Sequence, residues 1–98
     1  MSAAAPPPLN GASVPRLARG VRLREDAARN RWVVLAPERA FVPDDTALAV
    51  LRLIDGRRSV DDAVDALAAL YAAPRDEIAA DVLGMLRDLA GRGVVVAA

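Results

Sequence analysis

The 98-residue chain contains no cysteine and no histidine, and all 13 of its basic residues are arginine. These absences exclude disulfides and zinc sites built on cysteine or histidine. Without histidine, cysteine or lysine, the carboxylates and serines of the chain also lack a partner for acid–base or nucleophilic catalysis. The composition therefore predicts a binding domain rather than an enzyme, with no cofactor and no metal.

Signals for membranes and targeting are also missing. No apolar run approaches the roughly 20 residues that a helix needs to cross a bilayer. The N-terminus lacks the basic and then apolar order of a signal peptide, so a cytoplasmic location is expected. Ala and Pro dominate residues 1–15, which predicts a disordered or linker-like tail there and a single domain over residues 16–98. The less favoured alternative is a tail that packs through Leu9 and Val14 alone.

Charge is balanced overall but unevenly distributed. Residues 1–43 hold seven Arg and three acids, a balance of +4, whereas residues 44–98 hold six Arg and ten acids, a balance of −4. A zero net charge predicts no general affinity for nucleic acid. The adjacent acids each open a predicted helix, where they stabilise the exposed amides, and this favours a structural role for them. These pairs are Asp44/Asp45, Asp61/Asp62 and Asp76/Glu77.

The first half of the chain predicts three short strands. Val21–Arg24 alternates apolar and basic side chains, Arg31–Ala36 is β-branched and aromatic, and Arg39–Val42 lies between two prolines. Their short connections favour an antiparallel meander.

Three helices are predicted to follow the strands. The first begins at Asp44 or Asp45 and runs to about Ile54, the second begins after Ser59, and the third begins at Pro74 and ends at Gly91 or Gly93. A short extended segment, residues 94–96, closes the chain. The order predicts an α+β fold, with a three-stranded antiparallel N-terminal sheet followed by a three-helix winged-helix-like bundle.

Two features predict a slot for an extended peptide. Arg39–Val42 comes last in the meander, so its outer edge has free backbone donors and acceptors. The third helix carries an apolar arc wider than one core contact needs, continued on one side by Ala79, Leu83, Leu86 and Ala90. An edge beside such a flank can accept a strand from another chain. The structural alternatives are an edge kept short against aggregation and an arc covered by the sheet.

Two other functions remain open on these residues. A winged-helix regulator would bind DNA through its third helix, but four acids against two arginines there argue against nucleic acid. A dimerisation module would pair the same edge with a second copy.

Seven short stretches occur in order along the chain: Gly20-Val-Arg-Leu-Arg24, Trp32-Val-Val-Leu-Ala-Pro-Glu38, Leu53-Ile-Asp-Gly56, Arg58-Ser-Val60, Tyr71-Ala-Ala-Pro74, Asp81-Val82 and Arg92-Gly-Val94. Over about residues 17–96, this ordered set resembles the PqqD family of pyrroloquinoline quinone (PQQ) biosynthesis.

The resemblance implies a peptide chaperone that binds the precursor peptide PqqA and presents it to the radical SAM enzyme PqqE. In some bacteria the family domain is fused behind PqqC, and the Pro/Ala-rich tail would then be a fusion linker. In related leader-peptide recognition domains the peptide adds a strand at the third strand and packs against the third helix. Carried over to this chain, the peptide-binding residues are Arg39, Ala40, Phe41, Val42, Ala79, Leu83, Leu86, Arg87 and Ala90.

Overall fold

Residues 8–98, the part that the computed structural model describes, form five strands and three helices. A short 3₁₀ turn, Ala27–Arg29, joins the second and third strands. In chain order the elements are β1 Pro15–Leu17, β2 Arg22–Asp26, β3 Arg31–Ala36, β4 Arg39–Phe41, α1 Asp45–Leu51, α2 Val60–Leu70, α3 Arg75–Gly91 and β5 Val95–Ala97.

The predicted antiparallel meander is present as the sheet β2-β3-β4. Its β3–β4 hairpin closes through Pro37 and Glu38, and Glu38 has a φ of 62°, the left-handed value that a type II turn requires at its third position. Leu23 lies opposite Val34, and Val34 lies opposite Phe41, so these three side chains share one face. Val34 is fully buried, which identifies that face as the inner one.

A second sheet of two strands pairs β1 with β5, so the chain does not have the single N-terminal sheet that the sequence predicts. Arg16 lies opposite Val96, and the ladder joins the two ends of the described chain. Pro15–Leu17 is too short to show an alternating pattern, and its partner lies beyond every helix. Sequence reasoning based on neighbouring residues therefore could not find this pair.

The segment before β1 is packed against the domain. Leu9 is only 6% exposed and belongs to the core. The carbonyls of Ser13 and Gly11 accept hydrogen bonds of 2.8 and 2.9 Å from the backbone amides of Val60 and Asp61, so they cap the first turn of α2. The prediction of a disordered tail is therefore wrong for residues 8–15. Residues 1–7 of that tail lie outside the described residues.

Replacing Leu9 with Ala is expected to lower the free energy of unfolding by about 2–3 kcal/mol, because the substitution leaves a cavity in the core. Urea denaturation followed by circular dichroism measures the change. Leu70→Ala is the matched control, because Leu70 is 77% exposed. Equal denaturation midpoints for the two variants would contradict the packing of this segment.

The helices begin where their caps predict. The Asp44 carboxylate accepts a hydrogen bond of 2.7 Å from the Ala47 amide at the start of α1. Ser59 and Asp62 form a reciprocal capping box at the start of α2. The core lies between these helices and the inner face of the sheet, where Val34, Val50, Val64 and Leu86 are fully buried. Among the described residues, no helix has the length and apolar character to cross a membrane.

Candidate peptide-binding site

Strand β4 forms one edge of the three-stranded sheet. The turn places Ala36 opposite Arg39 as the pair that closes the hairpin, and Leu35 opposite Ala40 as the next pair. Antiparallel pairs alternate between those that exchange hydrogen bonds and those that do not, and the closing pair is of the first kind. The N–H and C=O groups of Ala40 therefore point away from β3. They are the backbone groups that an added strand would meet.

Helix α3 has two flanks on either side of its buried stripe. Successive helical residues turn by about 100°, so the positions divide around Val82, Leu86 and Leu89, which are all buried. The first flank contains Ala79, Leu83, Arg87 and Ala90. The second flank contains Ile78, Asp81, Met85 and Asp88, and it leads to Arg92 beyond the helix end.

The second flank is the one next to β4. The Arg92 guanidinium lies 5.6 Å from the centre of the Phe41 ring and pairs with Asp88 at 2.8 Å. The Arg39 guanidinium, also from β4, donates a hydrogen bond to the backbone carbonyl of Arg92. These contacts hold β4 at the C-terminal end of α3, with Met85 packed at the border of the core on the same flank.

The first flank contacts a different part of the fold. Nε of Arg87 donates a hydrogen bond of 2.8 Å to the carbonyl of Leu9, and Ala90 borders a hollow together with Leu9 and Val95. Leu86 is 0% exposed and lies inside the core, where a peptide cannot reach it. The structure therefore does not form the predicted slot from β4 and the Ala79/Leu83/Leu86/Ala90 flank. Both flanks carry apolar side chains, Ala79, Leu83 and Ala90 on the first and Ile78 and Met85 on the second, and the helical period does not indicate which flank faces β4.

An apolar cleft of about 500 Å³ opens where β4 leads into α1. It lies between the start of α1, the end of α2 and the start of α3. Sequence reasoning did not find it, because its walls come from three helices. Its lining includes Thr46, Ala49, Leu67, Tyr71, Ile78 and Val82, with the carboxylates of Asp45 and Asp81 beside them.

The site contains no arrangement typical of metal binding. Over residues 8–98, no three acidic side chains come together in a group that could hold a metal ion. Arg39, Phe41 and Arg92 provide hydrogen-bond donors and an aromatic face, while Ile78 and Met85 provide apolar surface. This set can hold an extended peptide.

Comparison with known proteins identifies the family. The family model described as coenzyme PQQ synthesis protein D (PqqD) matches residues 31–95. The chain belongs to the PqqD family. The matched range runs from the start of β3 to the first residue of β5, so it includes β4 and all of α3.

Relatives of this PqqD-family chain agree in sequence and in structure. A "PqqA binding protein" of Rhodopseudomonas palustris is 52% identical over 87 residues, which are 89% of this chain and 85% of the relative. The solution structure of the PqqD part of Methylobacterium extorquens PqqCD, described as a recognition element for ribosomally synthesised and modified peptides, is 50% identical. It superimposes with a TM-score of 0.75 over 90% of this chain and 94% of that one.

A third match contains a bound peptide. The structure described as lasso peptide synthetase B1 complexed with the leader peptide is 25% identical to this chain. It superimposes with a TM-score of 0.68 over 86% of this chain and 99% of that one. The PqqD-family fold of this chain is thus shared with a protein that was solved together with a leader peptide.

Proposed function

We propose that this chain binds the precursor peptide PqqA as an added strand at the β4 edge and presents it to the radical SAM enzyme PqqE. The observation that carries this proposal is the open edge of β4 at Ala40, in a strand whose Arg39 and Phe41 contact Arg92 at the end of the second α3 flank. Backbone pairing supplies affinity and register, while the helix flank contacts alternate side chains of the peptide. The relatives named as PqqA binding proteins support PqqA as the peptide.

The remaining parts of the proposal follow from the same family. The role is binding without catalysis, in a cytoplasmic protein. The three helices form a winged-helix-like trio, and the two-stranded β1–β5 ribbon supports that fold assignment. PqqC is a further candidate partner through fusion, since the M. extorquens match is a truncation of a PqqCD chain.

Titration of ¹⁵N-labelled protein with synthetic PqqA tests the proposal by NMR. We expect shifts of the amide signals at Arg39, Ala40, Phe41 and Val42. On α3 we expect them along the second flank, which contains Ile78 and Met85. A peptide of the same composition in scrambled order is the control and should produce no saturable shifts. Absence of binding, or shifts confined to α2 and the β1–β5 ribbon, would contradict the proposed site.

The two flanks of α3 give a paired prediction. Met85→Gln places a polar amide on the flank beside β4 and is expected to weaken PqqA binding about fivefold, because an apolar contact of about 1 kcal/mol is lost. Leu83→Gln makes the same kind of change on the opposite flank, and there the affinity should stay within about twofold. Calorimetric titration measures both affinities. A larger loss for Leu83→Gln would restore the flank that the sequence predicts.

A further inference from the structure

The outer face of the β2-β3-β4 sheet carries an apolar strip. Side chains alternate along a strand, so the inward position of Val34 directs Val33 and Leu35 outward on β3. Ala40 lies opposite Leu35 and shares its face, and Val42, two residues further along the chain, is 50% exposed. Val33 and Leu35 are half-buried, and neither is among the side chains packed against the core. The strip therefore ends at the β4 edge, where the peptide is proposed to add.

Arginines border this strip on the side of β2. Arg22 lies opposite Leu35, and Arg24 lies opposite Val33. The nearby Asp26 already pairs with Arg29 and Arg31, at 3.4 and 3.3 Å. Within residues 8–98, no carboxylate lies within 4.0 Å of the guanidinium groups of Arg22 and Arg24. An open hollow of about 520 Å³ extends over part of this region. It is lined by Val33 and Leu35, by Arg24, Arg29 and Arg31, and by the acidic Glu25 and Asp26, the second of which is already paired.

This combination is typical of a surface that meets another protein. Arginine is enriched in interfaces, where its apolar stem covers hydrophobic area and its planar head pairs with carboxylates. Two of the seven arginines of residues 1–43, Arg22 and Arg24, thus lie beside apolar side chains on the face opposite the core. A partner that fits has acidic residues next to a small apolar patch.

We propose that this outer face docks an acidic protein surface, that of the enzyme which receives the peptide. This inference rests on the proposed function. A strand added at β4 extends the same sheet, so alternate side chains of the peptide would emerge beside Ala40 and Val42 on the outer face. A protein docked on Arg22, Arg24 and the apolar strip would therefore contact both this chain and the peptide bound to it.

A second copy of the chain fits this face poorly. In a two-fold symmetric pair the same patch meets itself, so Arg22 and Arg24 of both copies would lie in one interface. Like charges placed opposite each other disfavour the contact. An acidic partner removes this repulsion and pairs both guanidinium groups.

The test compares two double charge reversals in the complex of the protein with PqqA, using purified PqqE as the probe. Arg22→Glu with Arg24→Glu changes the outer face. Arg57→Glu with Arg58→Glu makes an equal change in net charge in the exposed connection between α1 and α2. We expect the first variant to weaken PqqE binding about tenfold or more at physiological salt and the second to weaken it about twofold at most. Arg22→Gln with Arg24→Gln should give an intermediate loss.

Affinity for PqqA alone, measured first, separates this inference from the proposed function. Failure of the unchanged protein to bind PqqA contradicts the proposed function. A folded Arg22→Glu/Arg24→Glu variant that binds both PqqA and PqqE normally overturns the docking face but leaves the proposed function intact. Equal losses in the two charge-reversal variants overturn it too, because they indicate long-range charge rather than a contact. Sedimentation tests the remaining occupant, a second copy of the chain. If the unchanged protein self-associates and the Arg22→Glu/Arg24→Glu variant does not, the face belongs to a second copy instead.

Discussion

Replacing Ala40 with proline is expected to weaken PqqA binding roughly thirtyfold, a loss of about 2 kcal/mol. Proline has no N–H, and the N–H of Ala40 is the edge donor that points away from β3. The substitution removes one hydrogen bond to the added strand and leaves a carbonyl of the peptide without its partner. The ladder between β3 and β4 does not use this donor, so the free energy of unfolding should change by less than about 1 kcal/mol. Calorimetric titration and urea denaturation measure the two quantities.

Ala40→Ser is the matched control for this experiment. Serine keeps the backbone N–H and differs from alanine by one hydroxyl on the exposed outer face, so PqqA affinity should remain within about twofold. If proline and serine at this position have the same effect, the peptide does not add a strand at β4. Binding would then depend on side chains of α3 alone.

The elements that the sequence predicts well are those specified by neighbouring residues. Strand β3 has the same bounds in sequence and structure, because the aromatic and β-branched residues Trp32, Val33 and Val34 lie at its centre and Pro37 follows it. The start of α2 is equally local, since Ser59 and Asp62 cap it within one turn. Helix α1 ends at Leu51 and is shorter than predicted. The prediction is too long because Leu53 and Ile54 continue the apolar pattern, although they lie in a loop that packs on the core.

The features that the sequence does not predict depend on contacts between distant residues. Leu9 is buried, although its surroundings are rich in Pro, Ala and Gly, because β1 pairs with β5 and positions the preceding segment on α2. The face of α3 next to β4 is also set by such contacts, chiefly those of Arg39 and Phe41 with Arg92. A helical period identifies a wide apolar arc but does not identify the neighbour of each side.

Helix α3 shows how contacts between distant residues decide which side chains belong to a candidate site. The apolar positions of the helix fall into a central stripe and two flanks, and only burial separates them. Leu86 belongs to the stripe, whereas Met85 and Leu83 are half-buried on opposite flanks. Strand addition at β4 thus stays a proposal. The helix residues proposed to contact the peptide are now those of the second flank, Ile78 and Met85, instead of those of the first.

Replacing Leu86 with Ala is expected to lower the free energy of unfolding by about 3 kcal/mol, because Leu86 is 0% exposed and its truncation leaves a cavity among close-packed side chains. A domain of this size has roughly 5–15 kcal/mol of stability, so the variant should still fold but should unfold at a markedly lower urea concentration. Urea denaturation followed by circular dichroism measures the shift.

Binding of PqqA separates a core role of Leu86 from a role in the site. Leu83→Ala, on a half-buried position of the same helix, is the matched control and should cost less than half as much stability. At a temperature where Leu86→Ala is folded, its affinity for PqqA should stay within about twofold of that of the unchanged protein, because a fully buried side chain does not touch the peptide. A Leu86→Ala variant that keeps its stability but loses PqqA binding would instead place this residue in the peptide groove, where the sequence predicts it.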